Sequence, residues 1–236
     1  MTGEAIILAG GMGTRLKEVI SDSPKSMAPV NGRPFLEYVL DYLERWGLRR
    51  VILSVGYQSD LIIRHFGNHY KSMEIEYAIE EEPLGTGGAI LNALRHVQGF
   101  STFIFNGDTY FDVNLQRLDD FRRIKEADLC IAIRFEIEPA RFGILEFDNN
   151  NRITGLVEKP VGLDEGYING GAYIVRKDYL LRFGLPEKFS FEKDFLQKYY
   201  TTEEFYGMRC FSYFRDIGVP EDYQKAIDEF KRLMFY

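Results

Sequence analysis

The sequence predicts an α/β fold: a mixed, mostly parallel sheet, Rossmann-like in plan, with helices on both faces and a small mixed-strand insertion. Three observations carry that prediction. Ala5-Ile6-Ile7-Leu8-Ala9 and Val51-Ile52-Leu53-Ser54-Val55 are apolar runs flanked by glycine, the texture of strands buried on both faces of a parallel sheet. Between them Phe35, Leu36, Val39, Leu40, Leu43 and Trp46 recur at helical spacing, with Pro34 opening the segment and Gly47 closing it, so the two strands and the helix form a βαβ unit. Beyond Pro139 the texture changes to short apolar runs around the turn Asp148-Asn149-Asn150-Asn151, which predicts an antiparallel hairpin.

The remaining elements follow in order. Residues 61–66 read as helix, 75–79 as strand and 88–97 as helix. Residues 102–105 read as a central strand ending in Asn106-Gly107-Asp108. Leu115, Leu118, Phe121 and Ile124 predict a helix, and 129–135 a strand. Residues 144–147 and 153–157 are the hairpin arms, 167–175 another strand, 189–199 a helix and 205–214 a strand. The last helix, 220–234, has Pro220 at its start, Glu221 and Asp222 in its first turn, Lys231 and Arg232 near its end, and an apolar stripe of Tyr223, Ile227, Phe230 and Leu233; that charge order suits the helix dipole. No linker, repeat or low-complexity segment interrupts the chain. A single domain over 1–236 is expected, with 1–135 and 136–218 as its two working parts.

Composition removes several classes. The 236 residues are 45% hydrophobic and 28% charged, with 29 Lys and Arg against 36 Asp and Glu, a formal charge of −7. No basic block is present, so no nucleic-acid partner is expected. Met1-Thr2-Gly3-Glu4 carries no basic region, and the apolar run after it is too short to span a bilayer; a cytoplasmic protein without a membrane partner is expected. Cys130 and Cys210 sit among apolar residues and read as buried free thiols. His65 and His69 stand four apart on a helical stretch, but no zincin-type Glu accompanies them, and they read as surface histidines.

The chemistry-bearing segment follows the first strand: Leu8-Ala9-Gly10-Gly11-Met12-Gly13-Thr14-Arg15-Leu16-Lys17. Glycines after a buried strand let backbone approach a ligand and leave N–H groups to hold phosphate. No Lys-Ser or Lys-Thr follows the last glycine, and Leu16 stands where a dinucleotide fingerprint needs glycine. Arg15 places a fixed cation beside this turn. Pro24-Lys25-Ser26-Met27-Ala28-Pro29 follows, and its two prolines hold Lys25 at a set place. By itself each feature also fits an ordinary turn or a solvated lysine.

Together these segments resemble the signature of the sugar-1-phosphate nucleotidyltransferases. The ordered matches are Gly10-Gly11-Met12-Gly13-Thr14-Arg15-Leu16, Pro24-Lys25, Glu82-Pro83-Leu84-Gly85-Thr86-Gly87-Gly88-Ala89, Asn106-Gly107-Asp108, Arg141-Phe142-Gly143, Glu158-Lys159-Pro160, Asn169-Gly170-Gly171 and Asp216-Ile217-Gly218. Within the family, residues 82–90, 106–112 and Ser190-Phe191-Glu192-Lys193-Asp194-Phe195 are most similar to members that pair GTP with D-glycero-α-D-manno-heptose 1-phosphate for glycan biosynthesis. Mannose-1-phosphate guanylyltransferases and N-acetylmuramate-1-phosphate uridylyltransferases are the alternatives. A non-catalytic nucleotide-sugar-binding regulator is the remote one, because Arg15, Lys25, Asp108 and Asp216 are all present.

The resemblance implies a reaction that needs charge and geometry more than acid–base help, since a sugar 1-phosphate is already an anionic nucleophile. It implies Arg15, Lys25 and Asp108 as catalytic residues. It assigns Leu8, Ala9, Gly10, Gly11, Gly13, Thr14, Arg15, Lys25, Glu82, Gly85, Thr86, Gly87, Asn106 and Gly107 to the nucleotide. Gly143, Glu158, Lys159, Asn169 and Gly170 are assigned to the sugar phosphate, and Asp108 and Asp216 to Mg²⁺, a hard cation that carboxylate and phosphate oxygens suit. From the residues alone, an Asp at a strand end fits a turn or cap equally. Ser190, Glu192 and Asp194 fit both a substrate contact and a helix cap. A homo-oligomer is allowed by the sequence and not required.

Overall fold

The computed structural model describes residues 1–13, 16, 23–137, 139, 142–157 and 164–232. Its strands are β1 (Glu4–Leu8), β2 (Pro29–Val30), β3 (Arg33–Pro34), β4 (Arg50–Val55), β5 (His69–Tyr70), β6 (Met73–Ile79), β7 (Ser101–Asn106), β8 (Thr109–Phe111), β9 (Leu129–Ile137), β10 (Ile144–Phe147), β11 (Ile153–Val157), β12 (Glu165–Arg176), β13 (Phe205–Cys210) and β14 (Phe214–Asp216). The helices are α1 (Phe35–Arg45), α2 (Ser59–Phe66), α3 (Gly85–Leu94), α4 (Leu115–Ile124), α5 (Lys177–Leu181), α6 (Gln197–Tyr199) and α7 (Pro220–Phe230), with a π-helical turn over Phe191–Leu196.

Ten strands form one sheet in the order β11-β10-β12-β7-β1-β4-β6-β5, with β9 pairing β12 and β13 pairing β9. The β7-β1-β4-β6 block is parallel, and β12 joins it antiparallel to β7. The expected mixed, mostly parallel core with helices on both faces is therefore present. The apolar runs work as read: Ile6, Ile52 and Ile104 enter the core on one face, and Ala5, Ile7, Val51, Leu53, Phe103 and Phe105 enter the core on the other. Each fully buried Ile or Leu of this kind contributes roughly 1.5–3 kcal/mol. Helix α7 closes the second face, where Phe230 meets Phe35, Tyr38 and Tyr110 at ring distances of 5.8, 4.9 and 5.6 Å. No helix of the described residues is long and apolar enough to cross a membrane.

Some boundaries differ from the sequence expectation. Helix α3 begins at Gly85 rather than at 88, so the glycine run is its first turn. The strand expected over 205–214 divides into β13 and β14, which belong to different sheets. Helix α7 ends at Phe230, and Leu233 lies outside the described residues. Both thiols are buried and free, and burial pushes each up to about 12, so neither is a nucleophile near neutral pH. His65 pairs with Glu37 at 2.8 Å, and among the described residues no group of three or more His, Cys, Asp or Glu gathers as a metal cluster.

Helix α4 starts on Asn114, whose side-chain oxygen accepts the Arg117 N–H at 2.9 Å. Asn114→Ala is expected to lower stability by about 1 kcal/mol, read as a shift in urea midpoint at constant slope. An unchanged midpoint would mean the cap contributes nothing.

Candidate active site

The parallel strands end together. Leu8 at the end of β1, Gly56 after β4, Glu80 after β6 and Asn106 at the end of β7 all border one cleft of about 620 Å³, the position where open α/β sheets bind ligands. It is lined by Gly10, Gly11 and Met12 of the glycine turn, by Tyr57, Glu80, Glu81 and Pro83, by Gly85, Thr86 and Ala89 of α3, and by Asp108, Tyr173, Phe191 and Glu192.

The glycine turn is built around Lys25. Gly13 has φ +59°, and a Cβ there would stand 2.9 Å from the Lys25 Cβ, so only glycine fits both the left-handed backbone and the close approach. The Lys25 N–H donates to the Gly11 carbonyl at 3.3 Å. The side chain lies on a short 3₁₀ turn, Lys25–Met27, behind Pro24, and its ammonium forms an ion pair with Asp108.

Asp216 arrives from the other end of the chain. Strands β14 and β8 pair antiparallel, which sets Asp216 opposite Thr109. The Ile217 N–H donates to the Asp108 carbonyl at 3.0 Å. The Thr109 hydroxyl reaches Asp216 Oδ2 at 3.1 Å and Asp108 Oδ1 at 3.3 Å, and the Gly218 N–H donates to Asp216 Oδ1 at 2.7 Å. Burial and the Asp108 charge raise the Asp216 pKa above its ordinary value, and the Lys25 ammonium pulls it back. Two carboxylates already facing a shared cation fit a divalent hard metal, which takes one or two carboxylates and completes its shell with phosphate oxygens and water.

Strand β12 carries a bulge between Asn169 and Ala172. Gly171 adopts φ +68°, and a Cβ on it would meet the Asn106 side chain at 2.5 Å; one on Gly170 would meet the Phe111 ring at 2.3 Å. The bulge presents Asn169, whose amide donates to the Tyr173 hydroxyl at 2.8 Å and to Glu192 at 3.1 Å.

Of the residues expected at the nucleotide, Leu8, Gly10, Gly11, Gly85, Thr86 and Asn106 border the cleft, as does Asp108, expected as a catalytic residue and at the metal. Others do not. Ala9 is buried, its N–H donating to the Ser54 carbonyl at 2.8 Å. Gly107 lies against β1, donating to the Leu8 carbonyl at 2.9 Å. Gly87 is buried under Phe189, whose carbonyl takes its N–H and whose ring would be 2.1 Å from an added Cβ. Glu82 is exposed outside the cleft wall. Glu80 stands inward instead: its N–H continues the β-ladder to Val55, and its carboxylate takes the Leu84 N–H and the Ser54 hydroxyl, both at 3.1 Å. Gly143 precedes β10 next to Val157. Thr14, Arg15, Glu158 and Lys159 lie outside the described residues.

Ser190 and Asp194 are caps. The Ser190 hydroxyl accepts the Lys193 N–H at 3.3 Å, and Asp194 accepts the Ser190 N–H at 2.7 Å, a reciprocal arrangement. Glu192, between them, lines the cleft.

The sequence profile of the nucleotidyl transferase family matches residues 4–232. The chain belongs to the nucleotidyl transferase family. Similar curated relatives are a D-glycero-alpha-D-manno-heptose 1-phosphate guanylyltransferase of Aneurinibacillus thermoaerophilus, 45% identical over 226 residues, covering 96% of this nucleotidyltransferase and 97% of the relative. A protein of the same name from Campylobacter jejuni is 43% identical over 220 residues, covering 93% and 96%. Among solved structures, HddC from Yersinia pseudotuberculosis in complex with GMP-PN superposes with a TM-score of 0.86 at 39% identity, covering 97% of this nucleotidyltransferase and all of that chain.

Proposed function

We propose that this nucleotidyltransferase transfers GMP from GTP to D-glycero-α-D-manno-heptose 1-phosphate, releasing pyrophosphate and forming the GDP-heptose for glycan biosynthesis. The observation that carries this is the convergence of Lys25 and Asp216 on Asp108, which borders the strand-end cleft. Base and sugar are supported by the relatives' names and by the GMP-PN complex of HddC.

A phosphate oxygen of the sugar 1-phosphate attacks the α-phosphorus as the bond to the β-phosphate oxygen breaks, and pyrophosphate leaves. The barrier is the approach of two polyanions, so the protein supplies positive charge and alignment. In this reading the N–H groups of the glycine turn and Lys25 hold the triphosphate. Arg15 would neutralise charge developing at the α-phosphate, and Lys159 would bind the phosphate of the sugar. Asp108 and Asp216 hold Mg²⁺, which when bound neutralises phosphate charge at the reacting centre. Residues 1–135 then serve the nucleotide and 136–218 the sugar, with the long strand β12 shared between them. At the base end, Glu80 is pinned by Ser54 and Leu84. A carboxylate accepts only, and guanine offers N1–H and an exocyclic amine as adjacent donors.

The test is pyrophosphate release across the four nucleoside triphosphates and several sugar 1-phosphates. GTP with the heptose 1-phosphate is expected to be preferred, with UTP and dTTP about 10²-fold less efficient, since uracil and thymine offer a single N3–H between two carbonyls and no exocyclic amine to pair the second carboxylate oxygen. Comparable efficiency with UTP would remove the base assignment. A preference for mannose 1-phosphate would remove the sugar assignment and leave the reaction standing.

A further inference from the structure

We infer that Glu192 reads the hydroxyls of the sugar 1-phosphate and sets sugar specificity, with Asn169 as the residue that positions it. This rests on the reaction proposed above.

The π-helical turn Phe191–Leu196 is anchored firmly. Phe191 and Phe195 are buried and stacked 5.5 Å apart, the Phe191 N–H donates to the Thr86 hydroxyl at 2.9 Å, and Ser190 and Asp194 cap the start. Of the three polar side chains at this turn's start that the sequence left open, two are thus consumed by the backbone. Glu192 alone of them enters the cleft.

Its surroundings identify what it meets. Glu192 Oε1 accepts one N–H of the Asn169 amide at 3.1 Å; the same nitrogen donates to the Tyr173 hydroxyl at 2.8 Å, and Asn169 Oδ1 accepts the Gly171 N–H at 3.1 Å. Asn169 is thereby held on the bulge as a bracket for the carboxylate. Gly171 of the same bulge lies against the Asn106 side chain, which sets Glu192 on the side of the cleft that Asn106 and Asp108 line. The sugar phosphate must reach the α-phosphate at the Asp108 end, so its ring lies beside Glu192. A carboxylate repels phosphate and accepts hydroxyl hydrogens, and its two oxygens together offer about four acceptor sites. A pyranose offers neighbouring hydroxyl donors and little else.

The experiment measures KM for each substrate in Glu192→Ala and Glu192→Gln, using whichever sugar 1-phosphate the wild-type protein turns over, so that an error in the heptose assignment does not decide the outcome. Glu192→Ala is expected to raise KM for the sugar 1-phosphate about 10- to 100-fold, the scale of a lost hydrogen bond to a charged group, with KM for GTP within about twofold. Glu192→Gln, which keeps an acceptor oxygen, should fall between. Deoxy analogues of that sugar should lose efficiency with the wild type at one or two positions and lose nothing further with Glu192→Ala. Ser190→Ala, which removes the cap of the same turn, should lower the urea midpoint and leave KM for the sugar unchanged. A rise in KM for GTP alone would overturn the inference in favour of a ribose contact. Unchanged kinetics in Glu192→Ala would overturn it outright, as would a Ser190→Ala variant that reproduces the Glu192→Ala pattern.

Discussion

Asp108→Ala and Asp216→Ala are each expected to reduce kcat by about 10²- to 10³-fold, the loss that follows removal of one preorganised electrostatic group at a reacting centre, while both variants remain folded. The argument is topological. Asp108 follows the central strand β7, and Asp216 is laid beside it by the β8–β14 pairing, so two carboxylates 108 positions apart share one cation. Neither side chain holds the sheet together: Asp108 is about a third exposed, and the side-chain bonds of Asp216 are to Thr109 and Gly218 beside it. Asp216→Asn, which retains volume, keeps an acceptor for the Gly218 N–H and can donate its NH₂ to the Thr109 hydroxyl, should lose activity nearly as far as Asp216→Ala. That result would separate loss of charge from loss of structure. EDTA should abolish wild-type turnover and Mg²⁺ should restore it. Full turnover in EDTA, or a variant within about threefold of wild type, would remove the two-carboxylate metal assignment.

The pairing that matters most for this prediction is the one the sequence carries least. Pro34 and Gly47 bracket α1, and the apolar runs at 5–9 and 51–55 announce buried parallel strands, because those signals are local and repeat at the period of the element. Strands β8 and β14 have three residues each. They owe their existence to each other, and no periodicity within three residues can express a partner a hundred positions away. The division of 205–214 has the same cause: Phe211, Ser212 and Tyr213 leave β9 so that Phe214, Arg215 and Asp216 can pair with β8.

The glycine run at 85–88 illustrates a different limit. Glycine lowers helix propensity by about 1 kcal/mol per residue, so a helix starting at 88 is the local expectation. Tertiary packing reverses it, because Gly87 and Gly88 admit Phe189 and the Glu187 carbonyl where any side chain would collide. The same segment carries Glu82, which the resemblance assigns to the nucleotide and which stands outside the cleft lining. Which of three consecutive acids face the cleft depends on where β6 stops alternating: the bond from the Glu80 N–H to Val55 continues the ladder to Glu80, and Glu80 and Glu81 line the cleft while Glu82 does not. For Ser190, Glu192 and Asp194 the spacing fits substrate contact and helix cap equally; the bonds Ser190 and Asp194 make to backbone N–H groups mark these two as caps, and Glu192 needed the cleft to give it a role.

Lys25→Met is expected to act in two directions at once, and the pair is more informative than either effect. Turnover should fall by about 10²-fold, since a fixed cation is lost from the phosphate site. Affinity for Mn²⁺ in the nucleotide-free protein should rise. The Lys25 ammonium is paired with Asp108 and is mostly shielded from solvent, with 13% of its side chain exposed. It also acts favourably on the Asp216 carboxylate. Without nucleotide, lysine and metal therefore compete for the same oxygens. Two unit charges about 4 Å apart interact by about 4 kcal/mol at an effective dielectric constant near 20, so relief of even a third of that would strengthen metal binding about tenfold. With nucleotide bound, the triphosphate offers the ammonium another anion, and the difference between wild type and variant should shrink. Mn²⁺ titration followed by electron paramagnetic resonance reads this directly, in the presence and absence of a non-hydrolysable GTP analogue, without reference to turnover. Weaker Mn²⁺ binding by Lys25→Met in the free protein would mean that the ion pair organises the carboxylates for metal instead of competing with it.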